Sequence, residues 1–227
     1  MNQFSQDALR HRLMLLDTPS LADAMDHIGI YGALQGIQCQ ISGQQTVAGP
    51  AFTAMFRSFS RGGDTYQDPI SYIDQVRRGD MIVIDNEGRR DCTSWGDLLT
   101  EAALQKDIMG TVIHGAVRDI SEIRRMGYPL FSTAIHMVGG RNRVRLTALQ
   151  VPIRVGEVFI NPGDWIVADS NGVLAIPASH VEDIVQRAER IDRVDQRIRQ
   201  AVREGVPLEV ARLRYRYEQP WDSSVGA

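Results

Sequence analysis

Thr111-Val112-Ile113-His114-Gly115-Ala116-Val117-Arg118-Asp119-Ile120-Ser121-Glu122 passes from a β-branched run through a glycine turn into the polar opening of a helix. The run 111–113 predicts a buried strand, and the spacing beyond Asp119 predicts a helix over 120–126. Strand, turn and helix in that order are the repeating unit of a mixed α/β domain. Other strand-length apolar runs with glycine nearby lie on both sides: Val47–Phe56, Met81–Ile84, Val151–Ile160, Trp165–Ala168 and Val173–Ile176. A further helix is predicted at 97–108. Upstream, residues 5–16 read as helical, Thr18-Pro19-Ser20 breaks the pattern, and Leu21–His27 reads as a second helix ending at Gly29.

The chain has 227 residues, enough for one large domain with a real core. With 43% hydrophobic and 23% charged residues it is neither disordered nor collagen-like in composition. Its apolar runs, such as Met81-Ile82-Val83-Ile84, are far shorter than the roughly 20 residues that span a bilayer. Met1-Asn2-Gln3-Phe4-Ser5-Gln6-Asp7 has no basic region leading into an apolar stretch, so a cytoplasmic protein with no membrane partner is expected. Two cysteines, Cys39 and Cys92, fit a reducing compartment without a disulfide framework. A net charge of −3 gives no basic footprint for nucleic acid. Of the 25 basic residues, Lys106 is the one lysine and the rest are arginine. Imine chemistry would have to use Lys106, which falls near the end of a predicted helix, where a cation simply favours the helix dipole.

Gly79-Asp80-Met81-Ile82-Val83-Ile84-Asp85-Asn86-Glu87-Gly88 resembles Gly163-Asp164-Trp165-Ile166-Val167-Ala168-Asp169-Ser170-Asn171-Gly172. Each is a turn, a buried strand and a second turn, and Asp and Gly are what such turns require, so these aspartates organise the sheet. From Ala178 to Glu204 the chain predicts one long helix whose apolar face carries Ile184, Ala188, Ile191, Ile198 and Val202. Asp195 falls on that face. Either it sits at the edge and reaches water, or it meets a partner or a metal, because a carboxylate in an apolar stripe is otherwise costly.

Two segments can carry chemistry. Ser94-Trp95-Gly96-Asp97-Leu98-Leu99 reads as a helix start with Ser94 as N-cap, and the free N–H groups of a first turn readily bind an anion. Gly96 lets a ligand approach the backbone. In the stretch 111–122, Arg118 can hold a carboxylate with two parallel hydrogen bonds and Asp119 can ligate a hard divalent cation. The competing reading makes Asp119-x-x-Glu122 a capping box and Arg118 a surface ion pair. His114 reads as a structural histidine or as a residue that tunes the site. Cys92 has no histidine nearby in sequence to activate it, and the five histidines show no zinc spacing.

Gly96-Asp97-Leu98-Leu99 followed by Arg118-Asp119 resembles the class II pyruvate aldolases that cleave 4-hydroxy-4-methyl-2-oxoglutarate and 4-carboxy-4-hydroxy-2-oxoadipate, a family that also contains the RraA regulators of ribonuclease E. The resemblance starts near Leu21-Ala22-Asp23-Ala24, passes through Thr46-Val47-Ala48-Gly49-Pro50-Ala51 and runs to Gly205. It is carried best by Val112–Asp119, by Pro162-Gly163-Asp164 and by Ala168-Asp169-x-Asn171-Gly172-Val173. It implies an α/β fold, a layered β/β/α sandwich with a long C-terminal helix, in which 1–205 form one domain and 206–227 a tail.

By the same resemblance Arg118 binds the substrate's C1 carboxylate, Asp119 is the direct protein ligand of Mg²⁺ or Mn²⁺, and Asp97 holds water of the metal's shell. Backbone amides of Gly96, Asp97, Leu98 and Leu99 cradle the pyruvyl end. The partners implied are a small 2-oxo acid and further copies of the chain, in a homotrimer or homohexamer with sites between subunits. A carboxylate from the neighbour's C-terminal helix completes each site, and the matching position here is Asp195, where the family aldolases carry glutamate. The reaction implied is retro-aldol cleavage of a 4-hydroxy-2-oxo acid to release pyruvate, with oxaloacetate decarboxylation as a side activity. The alternatives are a non-catalytic binding protein like the RraA regulators, or another decarboxylation or aldol step at the same metal. The loop from Arg57 to Asp68, with Arg61, Gly62, Gly63 and Asp64, is expected to face the distal half of the substrate.

Overall fold

A computed structural model of the chain describes residues 3–58 and 69–220. The elements are α1 (Gln3–Met14), α2 (Thr18–His27), β1 (Gln38–Cys39), β2 (Val47–Ser58), a 3₁₀ turn (Pro69–Gln75), β3 (Met81–Thr93), α3 (Asp97–Gln105), β4 (Gly110–Val117), α4 (Ile120–Met126), β5 (Leu130–Ile135), β6 (Val144–Leu149), β7 (Ile153–Val155), β8 (Val158–Ile160), β9 (Trp165–Asp169), β10 (Gly172–Ile176), α5 (Val181–Arg203) and α6 (Leu208–Arg214).

β2 belongs to both sheets. Its Val47–Pro50 end pairs antiparallel with β9, and its Ala51–Met55 part pairs parallel with β3. The strand order is β1-β5-β4-β3-β2-β9-β10, with β6 pairing the far end of β2. Side-chain alternation along the strands divides the interior into layers. Phe52, Ile82, Ile84, Ile113 and Val117 face α3, α4 and the 3₁₀ turn. On the other face of the same strands, Met81, Val83, Val112 and Phe131 meet Ile166, Ala168, Val173 and the β7–β8 hairpin. Trp165, Val167, Leu174 and Ile176, on the outer face of β9–β10, lie under α1, α2 and α5. The β/β/α sandwich thus gains a second helical layer, which the long C-terminal helix dominates.

Three expectations change in detail. The run 151–160 is two short strands closed by a turn at Gly156, whose φ of 58° favours glycine. β3 does not end at Ile84; after Asp85 it makes an excursion through Glu87 and Gly88, both at positive φ, and meets β4 again at Arg89 and at Thr93. On α5 the predicted face holds for Ile184, Ala188, Ile191 and Ile198, but Val202 is exposed and Ala201 takes the buried position. The tail from 206 onward includes α6, and its Ala211 packs with Val194, Ile198 and Ala201 of α5. Among the described residues no helix is long and apolar enough to cross a membrane.

Candidate active site at the α3 and α4 N-termini

Parallel strands β3 and β4 both end at the same edge of the sheet, so the helices that follow them start side by side. α3 begins at Asp97 with Gly96 in the N-cap position and no side chain capping it. Ser94 is therefore not the cap: its hydroxyl is buried with no hydrogen-bond partner among the described residues. Trp95 fixes the turn instead, its indole N–H donating to Thr100 Oγ1 at 2.8 Å while that hydroxyl donates to Gly96 O at 3.0 Å. The Asp97 carboxylate accepts from the Leu98 N–H at 2.8 Å. The first turn of α3 lines a cleft of 470 Å³.

Asp119 precedes α4 with φ 57°, in the left-handed region, and its side chain makes no capping hydrogen bond. The capping-box reading fails here: Glu122 pairs with Arg125, and its N–H reaches only the Asp119 carbonyl. A left-handed aspartate held without a cap is a strained arrangement of the kind that gathers at functional sites. Its effect is to turn the carboxylate back toward α3. Asp119 Oδ2 lies 3.1 Å from Arg118 Nε and 3.5 Å from the Asp97 N–H. Gly96 is required for this approach, since a Cβ there would sit 2.6 Å from Asp119 Oδ2.

The cleft is lined by Gly96, Asp97, Leu98, Leu99 and Arg118, and by Gly139, Gly140 and Arg141 from the β5–β6 loop. Phe56, Trp95 and Val144 are also part of its lining. The β5–β6 loop was not read from the sequence. In the fold its two glycines allow close approach: a Cβ at Gly139 would touch Arg118 Nη1 at 2.9 Å and one at Gly140 would strike Thr93 O at 2.4 Å. The loop is consequently pressed against the end of β3, with Thr93 N–H donating to Val138 O at 3.0 Å.

Asp195 is not in this cleft. It lies on α5, with 27% of its side chain exposed, and lines a separate cleft with Asp23, Asp26 and His27. Two sheet layers separate the α5 side of the molecule from the α3 side. Burial is the largest influence on the Asp195 carboxyl and raises its pKa; Arg199, 3.4 Å away, opposes this, and Asp17, Asp192 and Asp23 add to it. His114 is structural in its contacts: Nδ1 stands 3.4 Å from Asp85 Oδ1, on the sheet face opposite Ile113 and Val117. Lys106 caps the other end of α3, and its ammonium reaches Asp74 O at 3.4 Å. The helix length, roughly 15 Å at 1.5 Å per residue, keeps it out of the cleft. The loop 59–68, with Arg61, Gly62, Gly63 and Asp64, lies outside the described residues.

The donor set fits a hard cation held sparingly. Asp119 and Asp97 offer carboxylate oxygens at the mouth of a cradle that a Cβ on Gly96 would fill, and no soft ligand lines the cleft. Among the described residues no three acidic, His or Cys side chains converge to cage a metal. One direct carboxylate, with water and substrate as the remaining ligands, is how Mg²⁺ is commonly bound.

Residues 18–175 match the RraA-like family, described as Aldolase/RraA. The chain is 44% identical over 213 residues to Protein DlpA of Legionella pneumophila, covering 94% of this chain and 34% of that protein, so it spans about a third of that relative's length. It is 31% identical over 193 residues to the "Putative 4-hydroxy-4-methyl-2-oxoglutarate aldolase" of Halalkalibacterium halodurans, covering 84% and 87% of the two chains. Among solved structures, an uncharacterised protein from Pseudomonas syringae pv. tomato superposes with a TM-score of 0.85 at 39% identity, covering 92% and 94% of the chains. Streptomyces coelicolor RraAS2, described as an unusual member of the RNase ES inhibitor RraA family, superposes with a TM-score of 0.78 at 26% identity, covering 86% and 98%. The family model covers more than half of the residues, and with these relatives it shows that the chain belongs to the RraA-like family.

Proposed function

We propose that the protein is a divalent-metal-dependent lyase that cleaves a 4-hydroxy-2-oxo acid by a retro-aldol reaction and releases pyruvate. The observation that carries this reading is that Arg118, Asp97 and the first turn of α3 line one cleft that contains no lysine, with Asp119 held beside them by Arg118 Nε and the Asp97 N–H. Arg118 presents its guanidinium to the C1 carboxylate, and the positive end of the α3 dipole stabilises negative charge at the pyruvyl end. Asp119, with Asp97 behind it, would hold Mg²⁺ or Mn²⁺, which when bound stabilises the pyruvate enolate as Lewis acid. Cleavage needs a base for the C4 hydroxyl proton. Water positioned by the Asp97 carboxylate supplies it, completed by the Asp195 carboxylate of a neighbouring copy. The name of the H. halodurans relative supports the same chemistry. The enolate formed by decarboxylating oxaloacetate is the same species, so that activity accompanies cleavage.

The test is pyruvate release coupled to NADH oxidation by lactate dehydrogenase. The substrates are 4-hydroxy-4-methyl-2-oxoglutarate, 4-carboxy-4-hydroxy-2-oxoadipate and oxaloacetate. Turnover that requires Mg²⁺ or Mn²⁺, stops with EDTA and is lost in Asp119→Ala is the expected result. Absence of metal-dependent turnover on all three would leave the RraA-type binding role, which the kinship with RraAS2 favours, as the better reading.

A further inference from the structure

The turn that leads into α3 leaves one buried donor unspent. Ser94 lines the cleft, is 8% exposed, and its hydroxyl has no hydrogen-bond partner among the described residues. The groups around it are partnered with one another. Thr93 N–H donates to Val138 O at 3.0 Å, and Arg118 N–H donates to Trp95 O at 3.2 Å. The Trp95 indole N–H, the Thr100 hydroxyl and Gly96 O form a chain with steps of 2.8 and 3.0 Å, and Asp97 holds the Leu98 N–H. These bonds fix the turn without Ser94 Oγ.

A hydroxyl taken out of water without a partner costs free energy, and native proteins keep few such groups. Three causes can hold one here: an enclosed water that serves the fold, a packing defect that alanine would relieve, or a ligand that the hydroxyl meets. The third fits the position. Ser94 stands two residues before Gly96, the N-cap of α3, and shares the cleft with Arg118. An anionic oxygen drawn to the positive end of α3 and to the guanidinium enters the space that Ser94 lines. The hydroxyl has no bond to break among the described residues, so meeting that oxygen takes only a change of χ1 rotamer. Acceptor capacity is available too. A carboxylate offers about four lone-pair sites, and Arg118 already has Nε on Asp119.

We infer that Ser94 is a further substrate-binding residue: its hydroxyl donates a hydrogen bond to an oxygen at the 2-oxo acid end of the ligand. This rests on the proposed 2-oxo acid site and adds to it a donor that neither the metal nor Arg118 supplies.

The test pairs affinity with stability in the full chain. Pyruvate is titrated calorimetrically with Mg²⁺ present, and the unliganded protein is melted. Ser94→Ala removes the hydroxyl, and Ser94→Cys keeps its shape with a much weaker donor. Both are expected to bind pyruvate about 10-fold more weakly, the scale of one hydrogen bond to a charged group. The unliganded melting temperature should stay the same or rise, because an unpartnered polar group has gone. A lower melting temperature in both variants would mean that the hydroxyl serves the fold and would overturn the inference. Unchanged affinity in Ser94→Ala, with binding lost in Arg118→Gln, would also overturn it and leave the 2-oxo acid site standing. Failure of pyruvate to bind the wild type would overturn the site and the inference together.

Discussion

Gly96 shows how one residue can decide a site. Its missing Cβ leaves the space that Asp119 Oδ2 occupies, and as the N-cap it adds no side chain of its own beside the Asp97 N–H that Asp119 meets. Gly96→Ala is therefore expected to displace the Asp119 carboxylate while leaving the buried core untouched. Metal affinity, measured by Mn²⁺ titration, should fall by at least about tenfold, while the melting temperature moves by only a few degrees, the effect of about 1 kcal/mol. A large loss of stability with unchanged metal affinity would show that the close approach serves packing. Arg118→Lys keeps the charge but loses the two-pronged geometry, so kcat/KM should drop about 10- to 100-fold, mainly through KM. By residue type alone Gly96-Asp97 and Arg118-Asp119 read equally as a helix start and a surface ion pair, and it is the resemblance to the aldolases that joins them into one candidate site. Gly139, Gly140 and Arg141 were not legible, because their meaning depends on a loop folding against another strand, and nothing local in Met137–Asn142 says what it will face.

At the scale of elements, the strand ends hold the charges that the core cannot. Asp85 is 4% exposed at the end of the regular part of β3. Burial alone pushes its carboxyl pKa up, but hydrogen bonds from His114, the Glu87 N–H and Arg57, together with the Arg57 charge, outweigh that and hold it below the usual carboxylate range. A carboxylate whose pKa is lower folded than unfolded adds stability above the unfolded value near 3.9, and that stability is lost as pH falls through the folded value. Acid unfolding is thus expected to begin below about pH 4 with Asp85 as one contributor, and Asp85→Asn should flatten the profile there and cost about 1–3 kcal/mol at neutral pH. Asp195 behaves oppositely. Its pKa is raised chiefly by burial, so its charge opposes folding of the isolated chain at neutral pH, and the penalty eases as pH falls. Asp195→Asn should leave thermal stability unchanged or slightly higher while abolishing most turnover, as expected of a residue kept for function.

The sequence revealed the helix that carries Asp195 and the stripe it interrupts, because helical periodicity is a local signal. It did not reveal that α6 would fold onto α5: Val206, Ala211 and Tyr215 are spread too thinly to form a recognisable face alone. It also missed the double helical cover of the sandwich, which depends on how β2 passes from one sheet to the other at Pro50–Ala51. Pairings of that range leave no mark in a short window of sequence.

In the proposed function the residues of one site lie on two sides of the chain. The α3 cleft lies on one side of two stacked sheets, and the carboxylate offered by α5 lies on the other, beside Asp23 and Asp26. The cleft side carries Arg118 and Arg141, whereas the α5 side gathers aspartates whose charges are poorly solvated: burial is the leading cause of the raised pKa at Asp23, Asp192 and Asp195. Parts of one site on different faces of a chain can be joined by head-to-tail contact, which closes into a ring when the rotation permits. If each site is built from Asp119 of one copy and Asp195 of the next, two inactive variants should rescue each other. Asp119→Ala and Asp195→Ala would each lack turnover, but after denaturation and refolding of an equal mixture, about a quarter of the sites would pair an intact Asp119 with a neighbour's intact Asp195. Recovery of roughly that fraction of wild-type pyruvate release, with none when the two are mixed without refolding, is the expected outcome. No recovery in a refolded mixture whose oligomers contain both variants would place Asp195 outside the active site and leave Asp97 to position the catalytic water alone.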